Sequence, residues 1–246
     1  FLYAPFFLAG RLGDYIINSI MHMKFFIIAA AAALLPAILW SGEPASAGVA
    51  AIMDERLAPK PVKTEYFDGL FNLVKSSKAI VETPSGLSEA QKQTIRKTFA
   101  DYWKIVPELN FVAAEKSADS SPEGYSLKVS KDAIKISAGG FDGVRHALKT
   151  LRQLAETGRD GDGYYIQLCE ISDRPALAFR AVHLCIYPET TPAELEKRVR
   201  LAAYYKFNYV VLEPWGTFPF ESHPELSFFN KAFSRSELRR IVDLAY

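Results

Sequence analysis

The chain has 246 residues, 49% hydrophobic and 23% charged, with a formal net charge of +1. That is ordinary globular composition with ample apolar material for a core, and the length allows one or two domains. The near-neutral balance argues against a large basic field for nucleic acid or anionic lipid.

The N-terminal region is read first as a targeting segment. Met21-His22-Met23-Lys24 precedes Phe25-Phe26-Ile27-Ile28, an alanine run and Leu34-Leu35, then Pro36 and Ala45-Ser46-Ala47. A basic residue, a short apolar core and a small-x-small site form the pattern of a secretory signal peptide, here over 23–47 with cleavage after Ala47. The run is too short, and too interrupted by Pro36, for a membrane span. Residues 1–22 are set aside as upstream sequence, and the expected location is secreted or periplasmic, with no stable membrane insertion after cleavage.

From 48 to 65 the Ala, Gly and Pro content reads as a linker. Leu70–Val74 and Ala79–Val81 read as short strands. Ser88-Glu89-Ala90-Gln91 is a capping box, and Ile95, Phe99, Tyr102 and Trp103 follow on one helical face, with Pro107 as the stop. Ser117 to Glu123 reads as polar and exposed. Tyr125, Leu127 and Val129, a Lys131-Asp132 turn, then Ile134 and Ile136 make a β-hairpin. After Gly139-Gly140, Phe141, Val144, Ala147, Leu148, Leu151 and Leu154 recur at helical spacing, with Gly158 as the cap. Tyr164 to Ile171 reads as a strand. These pieces make a small α+β domain, assigned to residues 48–172 with the linker at its start.

The pattern changes after Asp173-Arg174-Pro175. Ala181 to Ile186 is a continuous apolar run, as in a strand buried on both faces. Thr191-Pro192-Ala193-Glu194 is a second capping box with Pro at the first helical position. Leu195, Val199, Ala202 and Ala203 mark the buried face of a helix ending near Tyr205, and Tyr209 to Leu212 reads as a second buried strand. A long loop follows, of a length that usually signals function or disorder. Ser234-Arg235-Ser236-Glu237 then caps a helix carrying Leu238, Ile241 and Val242. Strand, helix, strand, helix with buried strands is the α/β signature.

Two cysteines, Cys169 and Cys185, lie in strand-like apolar runs, where a free thiol behaves as a small hydrophobe. Export would permit a bridge between them, but two buried thiols are the favoured reading. Asp160 and Asp162 around Gly161 lack the remaining ligands of a calcium loop and read as a turn. No metal-spaced Cys/His cluster and no phosphate-binding glycine loop occurs, so no metal and no cofactor are expected.

Several ordered pieces together resemble glycoside hydrolase family 20, the β-N-acetylhexosaminidases. The hairpin from Gly124-Tyr125-Ser126-Leu127, the Gly143-Val144-Arg145-His146-Ala147-Leu148 helix and its Thr150-Leu151-Arg152-Gln153-Leu154 end are similar to that family's non-catalytic second domain. Asp173-Arg174-Pro175 with Phe179-Arg180 resembles its entry into strand one of a (β/α)8 barrel, Lys206-Phe207-Asn208 its approach to strand two, and Phe218 to Leu226 the loop after that strand. The resemblance implies an α+β domain followed by residues 173–246 as the first strands and helices of a TIM barrel, truncated at Tyr246. It implies hydrolysis of terminal N-acetylhexosamine by substrate-assisted retention, with an oligosaccharide or glycoconjugate as substrate. The family's adjacent Asp-Glu catalytic pair follows strand four, beyond Tyr246, so this stretch is expected to be inactive alone. The chain departs from the family where a strand-one Asp is replaced by Cys185 and a following Arg by Pro188, and where the segment after strand two is shortened to Glu213-Pro214-Trp215-Gly216. A related exo-glycosidase, α-glucuronidase-like, or a non-catalytic carbohydrate-binding relative are the alternatives.

Three residues are expected to touch sugar. Arg180, at strand one, has the resemblance in its favour and a donor fork suited to neighbouring hydroxyls; its competing role is an ion pair at the domain junction. Glu213 closes strand two and would accept sugar hydroxyls at a barrel mouth, or else form a salt bridge. Trp215 beside it would stack on a pyranose, or else pack in the loop. His183 reads as a satisfied interior histidine and His223 as a weaker candidate still.

Overall fold

The computed structural model describes residues 56–114, 121–157, 163–226 and 233–245. The signal-like segment 23–47, residues 1–22 and the Asp160–Asp162 turn lie outside them.

The first layer is a mixed sheet. Its strands are β1 (Lys63–Leu73), β2 (Lys78–Thr83), β3 (Glu108–Ala113), β4 (Tyr125–Val129), β5 (Ala133–Ala138), the short β6 (Glu156–Thr157) and β7 (Tyr164–Asp173). They run in the order β1-β7-β4-β5-β2-β3, with β6 on β7. The hairpin β4–β5 is antiparallel and pairs Leu127 with Ile136, which sets its alternating apolar residues on one face. β2 lies parallel to both β5 and β3, joined to β3 through a helix, as a parallel crossover requires.

That helix, α1 (Glu89–Trp103), starts at the Ser88/Gln91 capping box, in which both reciprocal bonds form. It stops at Lys104, whose left-handed backbone (φ 57°) turns the chain before Pro107 is reached. α2 (Phe141–Leu154) follows the hairpin. Its cap is Ala155, with its N–H on the Leu151 carbonyl, three residues short of the expected Gly158, which is outside the described residues. Ile95, Phe99 and Trp103 of α1 and Val144, Ala147, Leu148 and Leu151 of α2 pack with Leu127, Ile134, Ile136, Ile166 and Ile171 of the sheet into one apolar cluster. Each large side chain buried this way is worth roughly 1.5–3 kcal/mol over leaving it in water. The opposite sheet face is solvated and carries charge pairs, Lys135–Glu82 at 2.9 Å and Lys128 with its register partner Glu170.

Two expectations change here. The supposed linker is part of the domain: Leu57 is in the core, and Ala58 exchanges two backbone bonds with the Gln153 amide, at 2.9 and 2.8 Å. The segment toward Glu123 is not simply exposed, since Glu123 is half-buried between His146 and Arg180.

The second layer begins at Ala181. β8 (Ala181–Ile186) and β9 (Tyr209–Pro214) pair in parallel, with α3 (Pro192–Tyr204) between them and α4 (Arg235–Ala245) after the loop. The Thr191/Glu194 capping box forms in full, and Ser234 and Glu237 cap α4 reciprocally at 2.9 and 3.2 Å. Ile186, Leu195, Val199, Phe233 and Ile241 form a second core, joined by Leu184, Val210, Leu212 and Leu238. Val242 is exposed rather than buried. Among the described residues, one face of these strands is covered. Both helices lie on the side of Leu184, Ile186, Val210 and Leu212. The alternate residues, His183, Tyr209 and Val211, are exposed, with Cys185 and Glu213 half-buried among them.

Candidate functional site

Two polar constellations stand out, one at each end of the β8–β9 pair. At the N-terminal end the strands dock onto the α+β domain. Asn208 clamps the entry: its side-chain oxygen accepts the Arg180 N–H at 2.9 Å and its amide donates to the Ala178 carbonyl at 2.7 Å. Lys206, in the left-handed conformation at φ 64°, sends its ammonium inward to Asp173 (2.8 Å) and to the Tyr125 hydroxyl (3.0 Å). Tyr125 donates in turn to Asp173 at 3.1 Å and meets the Thr150 hydroxyl at 2.6 Å. Burial holds the Tyr125 phenol well above its ordinary range, with the Asp173 charge adding to the effect. Burial also pulls Lys206 down, opposed by Asp173.

Arg180 belongs to this junction. Its guanidinium pairs with Glu123 and donates to the Leu177 carbonyl at 2.6 Å and the Lys206 carbonyl at 3.0 Å. Glu123 also meets His146 Nε2 at 2.9 Å. Burial, reinforced by the Lys149 charge, brings the His146 imidazole down to about 4, so it is neutral at pH 7. A neutral ring facing a carboxylate through Nε2 carries its proton there, and the buried Nδ1 is without a hydrogen-bond partner among the described residues. Lys149, buried beside Arg145 and Lys206, is lowered to about 8, chiefly by desolvation. Glu123, His146 and Lys149 were not singled out from sequence. Glu123 ends a polar run that resembles any loop, and the other two are polar residues buried on a helix whose apolar period alone marks its packed face.

At the C-terminal end, His183, Cys185 and Glu213 face the open side. His183 Nε2 is 2.8 Å from Glu213 Oε2, and the Cys185 thiol donates to the same oxygen at 3.4 Å. His183 is therefore paired with Glu213, on a face that the described residues leave open. Cys185 is half-buried and Cys169 fully buried, and both are free thiols. The Tyr187 phenol is raised, first by its hydrogen bond to Cys185 and then by that group's charge. Tyr187 lies 6.1 Å, ring to ring, from Trp215, which is 51% exposed. The Trp215 N–H bonds the Ile186 carbonyl at 2.9 Å, and buried Thr217 holds the same carbonyl at 3.3 Å, pinning the start of the loop. Glu213 and Trp215 thus share one strand end with His183 and Cys185. Arg180 sits at the other end, about 16 Å away along the strand at some 3.3 Å per residue. His223 pairs locally with Glu225 on the surface, at 3.0 Å.

The family model for glycosyl hydrolase family 20, domain 2, matches residues 54–174. The chain carries a family 20 domain 2. The matched stretch is the mixed sheet with α1 and α2. The β-hexosaminidase subunit beta of Entamoeba histolytica is 34% identical over 133 residues, covering 49% of this chain and 23% of that protein. The fold extends past the matched domain. The Streptomyces plicatus N-acetyl-β-hexosaminidase superposes at a TM-score of 0.63 with 18% identity, over 78% of this chain and 44% of its own. The Vibrio harveyi exo β-N-acetylglucosaminidase does so at 0.59 with 20% identity, over 78% of this chain and 34% of its own. The chain therefore spans less than half the length of these relatives. Within the family 20 framework, Asp173 and Tyr125 belong to domain 2, while Arg180 and Lys206 come from the segment that follows it. No helix among the described residues is long and apolar enough to cross a membrane.

Proposed function

We propose that this chain belongs to an exo-acting glycoside hydrolase that releases terminal N-acetylhexosamine from oligosaccharides or glycoconjugates. The order of the parts carries this reading: a family 20 domain 2 leads directly into a parallel β8-α3-β9-α4 unit. On this reading domain 2 ends near residue 172, and 173–246 opens a (β/α)8 barrel. The uncovered side of β8 and β9 is then the side turned to the barrel interior, and their C-terminal ends lie at the active-site mouth. Glu213 accepts sugar hydroxyls there through Oε1, which takes no hydrogen bond from the described residues, and Trp215 stacks on a pyranose face. Arg180 reaches a sugar only by exchanging Glu123 for hydroxyls. The signal-like pattern over 23–47 supports export.

The reaction is substrate-assisted retention. The acetamido oxygen attacks the anomeric carbon while a Glu protonates the leaving oxygen and an Asp orients the acetamido group. That acid pair is sought in sequence following Tyr246. The test is an aryl-glycoside panel on the gene product that includes this following sequence. Cleavage of the β-N-acetylglucosaminide or galactosaminide is expected, slowing as fluorine atoms on the acetyl group weaken its carbonyl oxygen. Cleavage of the α-glucuronide alone would move the assignment to that sugar. Glycan binding without cleavage of any substrate would make it a non-catalytic relative.

A further inference from the structure

We propose that His183, Cys185 and Glu213 bind one divalent transition-metal ion, of which Zn2+ is the best fit. The inference goes beyond the glycosidase reading and does not depend on it.

The strand geometry assembles the three ligands. His183 and Cys185 are two apart on β8, so they project from the same face. Parallel register sets Glu213 of β9 directly beside Cys185. One ligand atom from each of the three residues lies within 4.8 Å of the others. A tetrahedral ion with bonds of about 2.0–2.3 Å holds its ligand atoms roughly 3.3–3.7 Å apart. Of the two separations at Glu213 Oε2, the 3.4 Å to Cys185 falls in that range and the 2.8 Å to His183 is shorter than it, so the His183 side chain must swing outward by a fraction of an ångström to complete the site.

The donor chemistry selects the metal. One imidazole nitrogen, one thiolate sulfur and one carboxylate oxygen suit Zn2+ and poorly suit Mg2+ or Ca2+, which take oxygen ligands. Three protein ligands leave a fourth position for water or another ligand. Binding displaces the proton of the Cys185 thiol to solvent. A Cys-His nucleophile is the poorer reading of the same residues, because the carboxylate oxygen, not the imidazole, meets the thiol. A plain cross-strand His–Glu pair accounts for one contact and leaves Cys185 incidental.

The test uses the whole chain, stripped with chelator and titrated with Co2+ as a spectroscopic probe. The expected result is one Co2+ per chain, a near-ultraviolet thiolate-to-cobalt charge-transfer band, and loss of that band on adding Zn2+. Cys185→Ser should abolish the band and Cys169→Ser should keep it. His183→Gln and Glu213→Gln should each weaken Zn2+ binding at least tenfold. Absence of the band in the parent chain would overturn the proposal without any variant. So would a band that survives Cys185→Ser, or Zn2+ affinity unchanged in Glu213→Gln.

Discussion

The Lys206 ammonium lies 2.8 Å from the Asp173 carboxylate, with only 5% and 11% of the two side chains accessible. Asp173 ends the last strand of the mixed sheet, and Lys206 precedes β9, so this buried pair ties domain 2 to the parallel unit. Removing one partner leaves the other charge desolvated. Lys206→Met should therefore destabilise by about 3 kcal/mol, near the lower end for broken buried pairs because Tyr125 still donates to Asp173. Asp173→Asn in the same chain should recover part of that loss. Hydrogen exchange and urea unfolding would register it, with the first loss of protection in β8 and β9. Strictly additive single and double variants would count against the pair.

His146 predicts a pH dependence. Its folded-state value of about 4 is below the ordinary 6.5, so between those values the unfolded chain binds a proton that the folded chain does not. Stability is thus full above about pH 6.5 and falls as pH drops toward 4. Linkage puts the loss between pH 7 and 5 at about 2 kcal/mol. Glu123, held low by Arg180 and His146 against its own desolvation, loses its contribution further into acid, in the same direction. In His146→Gln the slope between pH 7 and 5 should flatten. An unchanged slope in urea titrations would show that the imidazole is not the group responsible.

Lys149 is a buried cation among cations, with Arg145 and Lys206 both pushing it down. Lys149→Met keeps the aliphatic stem and removes the charge. It should raise stability by roughly 0.5–2 kcal/mol at pH 7. The parent's folded value of about 8 lies below the ordinary 10.5, so the parent gains stability as pH rises through that window, and the variant's advantage should shrink there. Melting temperatures at pH 7 and 10 would show both effects. A lower melting temperature at pH 7 would mean that the ammonium has a partner worth more than its desolvation.

Gly143 lies in the first turn of α2, pressed against the start of the hairpin. A Cβ there would be 2.4 Å from the Gly124 carbonyl oxygen, a backbone atom that cannot swing aside. Gly143→Ala should destabilise by about 1–3 kcal/mol through overpacking, although Ala is the better helix former by about 1 kcal/mol. A stabilised variant in chemical denaturation would refute the close approach.

What the sequence determined by itself was local. The capping boxes at Ser88, Thr191 and Ser234 are read from hydroxyl and carboxyl or amide side chains three residues apart, because those bonds close within one helical turn. The hairpin and α2 were legible because apolar periods of two and 3.6 report one buried face. The Asp173, Lys206 and Asn208 positions were legible as pieces of a resemblance, but not as residues that touch. Only the tertiary structure decided that Lys206 closes on Asp173 and that Glu123 joins His146 to Arg180, since these bonds span 33, 23 and 57 residues respectively. It also revealed β3, whose short alternation gains its meaning from the parallel neighbour β2. His183, Cys185 and Glu213 meet for the same reason: parallel register carries a residue on one strand to the side of another 28 residues away, and no motif spacing encodes that register.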